Sequence, residues 1–503
     1  MNSDATDAGL SGPDEELPEQ MRVRRAKYDR LSADPERAPF PVNVARTHSL
    51  EQIRAAYPDL AAGEETQDQV GVTGRVIFVR NTGKLCFATL REGAVELQVM
   101  LSRNEIGEQA LADWKADVDL GDLVFVEGRV ISSRRGELSV LAKSWRLTAK
   151  ALRPLPVAHK PLSEETRVRQ RYVDLIVRPE ARRMVLNRAA ITRSVRETMH
   201  GLGYLEVETP VLQVVHGGAA ARPFHTHLNA FDLEMSLRIA TELYLKKAIV
   251  GGIDRVYELG RVFRNEGVDS THSPEFSELE AYAAYGDYDT MAALTKKIIM
   301  DAAETVGVTA PLSTDGVEID LTAQWRQETI HNLVSEAVGE AINPDTDVAR
   351  LRGYADRAGV SLRDELDAGE IVLELYEKLV EHTLIQPTFV RDYPVSVRPL
   401  SRPHREDPRL AEAWDLVIGG VEIGVAYSEL VDPVEQRRRL VAQSIAAAKG
   451  DPEAMELDED FLHALEYGMP PTGGMGMGLD RLIMLLTGKG IRETILFPLI
   501  KPL

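Results

Sequence analysis

Asp415 and Glu422 are two carboxylates in the otherwise apolar stretch WDLVIGGVEIGVAYSEL, residues 414–430. A buried carboxylate is costly without a cation or a hydrogen-bond partner, so each needs one or must face water. WDLVI and VEIGVAY are joined by Gly419-Gly420, a two-residue hairpin signature. With that turn, Ile418 faces Val421, Val417 faces Glu422 and Asp415 faces Gly424, so Asp415 and Glu422 become diagonal neighbours roughly 7–8 Å apart at the backbone. Two carboxylates so placed can bridge a hard divalent cation such as magnesium. The plain alternative is a solvated strand face. Strict alternation puts Tyr427 and Glu429 on the opposite face with Leu416, Ile418, Val421 and Ile423, a poor place for a carboxylate. A β-bulge at Gly424 returns them to the face of Glu422 and is expected there.

Two further clusters carry chemistry. ELGRVFRNEGVDSTHSPEFSELEAYAAY, residues 258–285, reads as strand, polar loop, strand. Arg264 and Glu266 open the loop, and His272, Glu275 and Phe276 close it. Such a set can clamp a phosphate, hydrogen-bond a base and stack it. In PTGGMGMGLDRLIMLLTG, residues 471–488, glycines precede Arg481 and a helix. They read as a turn that lets backbone approach a ligand, with close helix packing as the plain alternative. The stretch lacks the Gly-Lys-Ser/Thr of a Walker loop and the βαβ setting of a dinucleotide fingerprint.

The elements around these clusters divide the chain. Residues 1–15 are polar and acidic, neither signal peptide nor membrane anchor, and are expected to be a disordered tail. Residues 16–35 read as one basic helix, within an N-terminal helix and connection spanning 16–66. Within 67–151, five strand-like runs (70–80, 84–91, 95–101, 122–132 and 137–147) surround one helical stretch, NEIGEQALADWKA. That pattern predicts an OB-fold barrel, which commonly binds single-stranded nucleic acid on one face; an SH3-like barrel competes. A proline-punctuated linker, 152–178, leads to a second domain over 179–503. There Pro179 opens a helix with Met184, Ile191, Val195, Met199 and Leu202 on one stripe. YLEVETPVL reads as a strand broken at Pro210, and about 290–390 as a helical insertion.

Composition narrows the function classes. The chain has 503 residues, 44% hydrophobic and 27% charged, as in ordinary globular proteins. Its single cysteine, Cys86, excludes an intramolecular disulfide and a multi-cysteine zinc site, and fits a reducing compartment. No apolar run reaches the ~18 residues of a membrane span, so the cytoplasm is expected. A formal charge of -20 argues against wholesale nucleic-acid binding. Any contact must use local basic patches such as 22–30, 143–160 and 167–171, whose plain reading is a solvated face.

Taken in order, YLEVETP, VFRNEG followed by HSPEF, and GMGMGLDR resemble the three signature motifs of class II aminoacyl-tRNA synthetases. RIATELYLKK and IRETILFP, with the OB-like domain, narrow the resemblance to the bacterial lysyl-tRNA synthetases over roughly residues 20–503. It implies an α+β chain in which an N-terminal OB-fold precedes a class II catalytic domain, an antiparallel sheet flanked by helices. It also implies ligation of L-lysine to tRNA(Lys) through a lysyl-adenylate, with ATP as co-substrate, Mg2+ as cofactor and a homodimer with Pro210 at its interface.

By the same resemblance, Arg264 holds the α-phosphate, Glu266 the adenine amino group and His272 the γ-phosphate. Phe276 stacks under the adenine, and Arg481 covers its other face and reaches the γ-phosphate. Asp415 and Glu422 match the magnesium ligands. Gly218, Glu242 and Glu280 match the α-amino end of the lysine site, Tyr282 and Glu429 its ε-ammonium end, and Tyr427 its methylenes. Phe87, Gln98 and Glu137 match anticodon-reading positions, although core packing for Phe87 and solvation for the other two are the plain readings. Four positions depart from the pattern: Val425 replaces a usual asparagine, Thr241 a proline, Leu228 a common histidine and Glu278 a common apolar residue. They leave open a paralogue activating a lysine analogue such as β-lysine or ornithine, or an idle tRNA-binding regulator.

Overall fold

The computed structural model describes residues 17–156, 160–269, 271–313, 315–448 and 457–502. The expected tail, 1–15, lies outside them. The chain forms two compact units that divide between Arg182 and Arg183.

In the first unit, α1 (Glu19–Ser32) falls where a basic helix is expected. A second helix, α2 (Leu50–Ala56), is closed at its start by a capping box between Ser49 and Gln52. Strands β1 (Glu65–Asn81), β2 (Leu85–Glu92), β3 (Val95–Ser102), β4 (Leu123–Ser132) and β5 (Leu138–Ala149) close into a barrel of order β1-β2-β3-β5-β4. Strands β3 and β5 run parallel. This is the OB arrangement and not the SH3-like one. The helical stretch after β3 is two helices, α3 (Arg103–Ile106) and α4 (Glu108–Asp117), because Gly107 between them takes φ 87°. Cys86, Ala88, Leu90, Leu97, Val99 and Leu101 point into the barrel, so Phe87 and Gln98 lie on its outer surface. The expected linker carries two short helices, α5 (Glu164–Arg169) and α6 (Arg171–Val177).

The second unit begins within α7 (Pro179–Gly201), whose Met184, Ile191, Val195 and Met199 are buried as the stripe predicts. YLEVETPVL keeps only two strand residues, β6 (Leu205–Glu206), before Pro210, which has no N–H to donate. A small sheet combines β7 (Leu212–Gln213), β8 (His225–Leu228) and β9 (Leu233–Leu237), and α8 (Glu242–Val250) follows it.

The main sheet uses β6 and seven longer strands: β10 (Arg255–Phe263), β11 (Glu275–Ala284), β12 (Arg326–Thr329), β13 (Thr388–Pro394), β14 (Leu410–Ile418), β15 (Val421–Ser428) and β16 (Thr472–Gly478). Their order is β12-β13-β14-β15-β16-β11-β10-β6, antiparallel except at the two edges. The stretch 290–390 holds nearly all of α9 (Tyr288–Val306), then α10 (Ile330–Val338), α11 (Val348–Ala358) and α12 (Ala368–Leu379). It also supplies β12 and the start of β13, so part of the expected insertion belongs to the sheet itself. Helices α13 (Pro433–Ala448), α14 (Glu459–Glu466) and α15 (Leu479–Thr487) complete the unit's longer elements. Met291 and Ile298 of α9 and Leu482 and Ile483 of α15 share a core with Trp414, Leu416, Met475 and Met477. That core covers one face of the sheet; the other face carries the polar residues that follow.

Candidate active site

The glycine-rich stretch is the central strand β16, not a turn. It lies between β11 and β15, pairing Gly478, Gly476 and Gly474 with Glu278, Glu280 and Tyr282 on one side. On the other side Gly476 and Gly474 pair with Val425 and Tyr427. Alternate residues of a strand share a face, so Phe276, Glu278, Glu280 and Tyr282 form one wall of a trough floored by glycine. A methyl group at Gly474 would overlap both Glu429 Oε1 and Tyr282, which meet above it. At Gly476 a methyl would stand 3.6 Å from Glu278 Oε1 and 3.8 Å from Val425 Cγ2. Glycine is used here for the space above the strand.

The second wall depends on the bulge. Gly419 and Gly420 both take positive φ, 67° and 73°, as the tight hairpin requires. Ile418 pairs with Val421 and Val417 with Glu422, as expected. The register then shifts: Leu416 pairs with Gly424 and Asp415 with Val425, leaving Ile423 as the extra residue. The bulge therefore starts one residue earlier than Gly424, and Asp415 faces Val425 instead of Gly424. Its consequence is the expected one. Ile423 and Ala426 go into the helix-covered core, and Val425 and Tyr427 join the face of Glu422.

One end of the trough is built for an anion and a ring. Arg264, Glu266, His272, Phe276, Glu422 and Arg481 line a single cavity with Glu278 and Val425. The Arg264 guanidinium lies 5.1 Å from the centre of the Phe276 ring. Arg481 donates to the Glu422 carbonyl at 2.7 Å and to its carboxylate at 3.0 Å. Asp480, buried beside Arg481, accepts from Ser277 N at 2.7 Å and from Arg188 at 2.5 Å, fixing α15 against β11. His272 sits at the exposed rim, its Nδ1 2.8 Å from Asp269.

The other end is built for a cation. Lys246 is fully buried, its Nζ 2.5 Å from Glu242 Oε1 and 2.6 Å from Glu429 Oε2. Glu429 Oε1 has no hydrogen-bond partner and lies above Gly474. One ammonium thus serves two carboxylates, and burial pushes the Glu429 carboxyl up to about 8 against the pull of Lys246. Burial raises Glu280 well above the usual range, with Glu278 and Glu242 adding to it; Glu280 accepts from Thr241 N at 2.8 Å and from the Tyr282 hydroxyl at 3.3 Å. Gly218, at φ 90°, presses close to Glu242, where a methyl would come within 2.9 Å of Glu242 Cβ. Lys246 is absent from the residues the sequence singles out, although its spacing of four from Glu242 on a helix was a readable signal.

Between the two ends lies the carboxylate pair. Asp415 is buried; its Oδ2 accepts from Arg398 at 2.6 Å and its Oδ1 has no partner. Burial pushes this carboxyl up to about 6, Arg398 opposing and Glu422 reinforcing the rise. An orphaned buried carboxylate oxygen diagonal to a second carboxylate fits a hard divalent cation. Arg398, which also stacks 4.2 Å from the Tyr393 ring centre, is a second residue the sequence leaves unmarked.

Residues 163–501 match the family described as tRNA synthetases class II (D, K and N), and residues 70–148 match the OB-fold nucleic acid binding domain of the anticodon type. The chain belongs to the class II tRNA synthetases. Among its relatives, the lysine–tRNA ligase of Kineococcus radiotolerans is 58% identical, covering 98% of this chain and 100% of that one. The lysine–tRNA ligase 1 of Mycobacterium tuberculosis strain H37Rv is 57% identical over 97% of this chain and 98% of its own. The lysylphosphatidylglycerol biosynthesis bifunctional protein LysX of Mycobacterium marinum is 51% identical over 97% of this chain but only 44% of its own.

In this class II synthetase the barrel residues singled out by sequence fall together only in part. Phe87 is half-exposed under the Arg80 guanidinium, 4.8 Å from its ring centre, which removes the core-packing reading. Gln98 shares the outer surface and donates to Ser139 at 2.8 Å. Glu137 is exposed just before β5 and paired with Arg54 at 3.1 Å. Pro210 is exposed, beside exposed Leu205, Val211, Leu212 and Val214. Leu228 ends β8 opposite Leu233, and nothing in the structure ties it to the trough.

Proposed function

We propose that this chain ligates L-lysine to tRNA(Lys), first making lysyl-adenylate from ATP and then transferring lysyl to the terminal ribose. The observation that carries the specificity is the cluster of Glu242, Glu429 and a single Lys246. With both carboxyl groups ionised it carries one negative charge that Lys246 does not balance, and it has one unpartnered oxygen at the end of the trough remote from the phosphate-binding arginines. An amino acid with a cationic tip completes it; one with an anionic tip would be repelled.

In the first step a carboxylate oxygen of lysine attacks the α-phosphorus in line and pyrophosphate leaves. Arg264 holds the α-phosphate, Arg481 and His272 the γ-phosphate, Glu266 the adenine amino group and Phe276 its ring. Gly218, Glu242 and Glu280 frame the α-amino end, Tyr427 packs on the methylenes, and Tyr282 and Glu429 receive the ε-ammonium. Fixed arginines and a closed glycine floor act by positioning and by charge that needs no rearrangement. Asp415 and Glu422 would hold magnesium, which would supply further positive charge against the triphosphate. The exposed apolar strip around Pro210 supports a homodimer, and the single buried cysteine suits the cytoplasm. Among the described residues no helix is long and apolar enough to cross a membrane.

Pyrophosphate exchange across lysine, β-lysine, ornithine and arginine tests the reading. Exchange with lysine is expected; exchange only with an analogue points to a shifted paralogue, and none at all to an idle protein. The pH dependence is also specified. Lysine's ε-ammonium stays charged to about pH 10, so binding is limited by Glu429, whose carboxyl titrates near 8 in the free site. The KM for lysine should fall as pH rises from 6 to 8 and level off above; a flat profile would count against Glu429 as the receptor. On the barrel, Phe87→Ala should raise the KM for tRNA by about fivefold to a hundredfold, the worth of one stacked base. Lysyl-adenylate formation should stay intact, and equal loss in both steps would contradict a stacking role.

A further inference from the structure

Besides Glu429, Asp415 and Glu422, three more carboxylates reach the trough: Glu242, Glu278 and Glu280. Two of them are engaged. Glu242 is paired with Lys246, and Glu280 accepts from Thr241 N and from the Tyr282 hydroxyl. The Thr241 N–H is available because residue 241 is not a proline, which has none to give. Glu278 is different: its Oε2 is buried with no hydrogen-bond partner, and its nearest cation, Arg264, is 3.7 Å away. The side chain leans over the glycine floor, with Oε1 3.6 Å from where a methyl on Gly476 would stand, facing Val425 across the strand.

Besides Asp415 Oδ1, the trough therefore holds two carboxylates with an oxygen that accepts no hydrogen bond: Glu278, 3.7 Å from Arg264, over Gly476, and Glu429, paired with Lys246 through its other oxygen, over Gly474. Those glycines are two residues apart on one strand, about 6.8 Å. The six bonds between the two amines of an extended lysine span roughly 7 Å. Val425 offers no polar atom to this region, so an acceptor there must come from the opposite wall.

We propose that Glu278 directly receives the α-ammonium of the substrate amino acid, with Glu280 held in place behind it. This rests on the lysine-activating reading above. Glu278 and Glu429 then read the two amines of one molecule from opposite walls of the trough. Glu278 is a specificity-determining residue, and the side chain that faces it across the glycine floor is the apolar Val425.

The test compares L-lysine with 6-aminohexanoate, which keeps the carboxylate and the ε-ammonium but lacks the α-amine. In pyrophosphate exchange, Glu278→Gln should raise the KM for lysine at least about tenfold, as for loss of a hydrogen bond between charged groups. The inhibition constant of 6-aminohexanoate and the KM for ATP should stay within about twofold. A lysine KM within twofold of the parent, or equal losses for lysine and 6-aminohexanoate, would overturn the assignment and leave Glu278 as a partner of Arg264. If the parent enzyme shows no exchange with lysine, the functional reading itself fails. Glu278→Asp and Glu278→Met, screened by thermal melting, carry the same comparison should Glu278→Gln not fold.

Discussion

Gly474→Ala is expected to lower lysine-dependent pyrophosphate exchange about a hundredfold or more, the scale of loss when reacting groups are displaced by an ångström. The added methyl would overlap Glu429 Oε1 and Tyr282 at once. Neither side chain has room to withdraw: Glu429 is held by buried Lys246, and Tyr282 is itself buried. The loss should lie mainly in the KM for lysine. ATP binding should persist, because Arg264, Glu266, Phe276 and Arg481 gather at the other end of the trough. Overpacking should also cost about 1–3 kcal/mol of stability. Gly476→Ala is the control on the same strand. Its methyl would meet only ordinary protein contacts of 3.6 to 3.9 Å, so stability should stay near the parent's even though the methyl enters the space the substrate would cross. Equal stability losses from the two substitutions would refute the convergence of Glu429 and Tyr282 above Gly474.

The same strand shows what a sequence conceals. TGGMGMG has low strand propensity by composition, and a turn is the natural local reading. It is nonetheless the sheet's central strand, because its value is set by neighbours that are distant in sequence. Tyr282 and Glu429 need empty space above it, and Met475 and Met477 fill the core below. By contrast, the hairpin at Gly419-Gly420 and the bulge that follows were legible, since turn chemistry and the misplacement of Glu429 under strict alternation are both local signals. The bulge falls one residue before Gly424 because the core takes the Ile423 side chain, a tertiary preference that the local flexibility of Gly424 does not reveal.

The candidate site divides along the same line. Residues whose function needs their type to stand out, such as Arg264, Phe276, Asp415 and Glu422, were visible in sequence and do face one trough. Lys246, Arg398 and Glu278 were not marked as site residues by local pattern. Each is one of many charged residues, and only its burial and partners distinguish it. The barrel is legible in the sequence because alternating inward positions are a local property of each strand. The two-residue β6 was not, since its length is decided by pairing with β10 and not by the alternation in YLEVETPVL.

Lys246→Met should be the most destabilising single change in the site, by about 3–5 kcal/mol, because it removes one partner from a buried ionic cluster. Methionine replaces the side-chain volume closely, so the loss is electrostatic: Glu242 and Glu429 would face each other without the ammonium that lies between them. The pH dependence follows from that. Without the pull of Lys246 the Glu429 carboxyl stays raised in the folded state, above the unfolded value near ~4.3. A group raised in this way contributes stability at low pH and loses it as pH rises through the folded value. The gap from the parent protein should therefore be smaller at pH 5 than at pH 8 in urea unfolding. Saturating lysine should recover part of the deficit at pH 8, because its ε-ammonium supplies a cation to the same carboxylates and ligand bound only to the folded state stabilises it. A gap that ignored both pH and lysine would mean that Lys246 supports the fold through its methylenes alone, and the charge argument for a cationic substrate would lose its foundation.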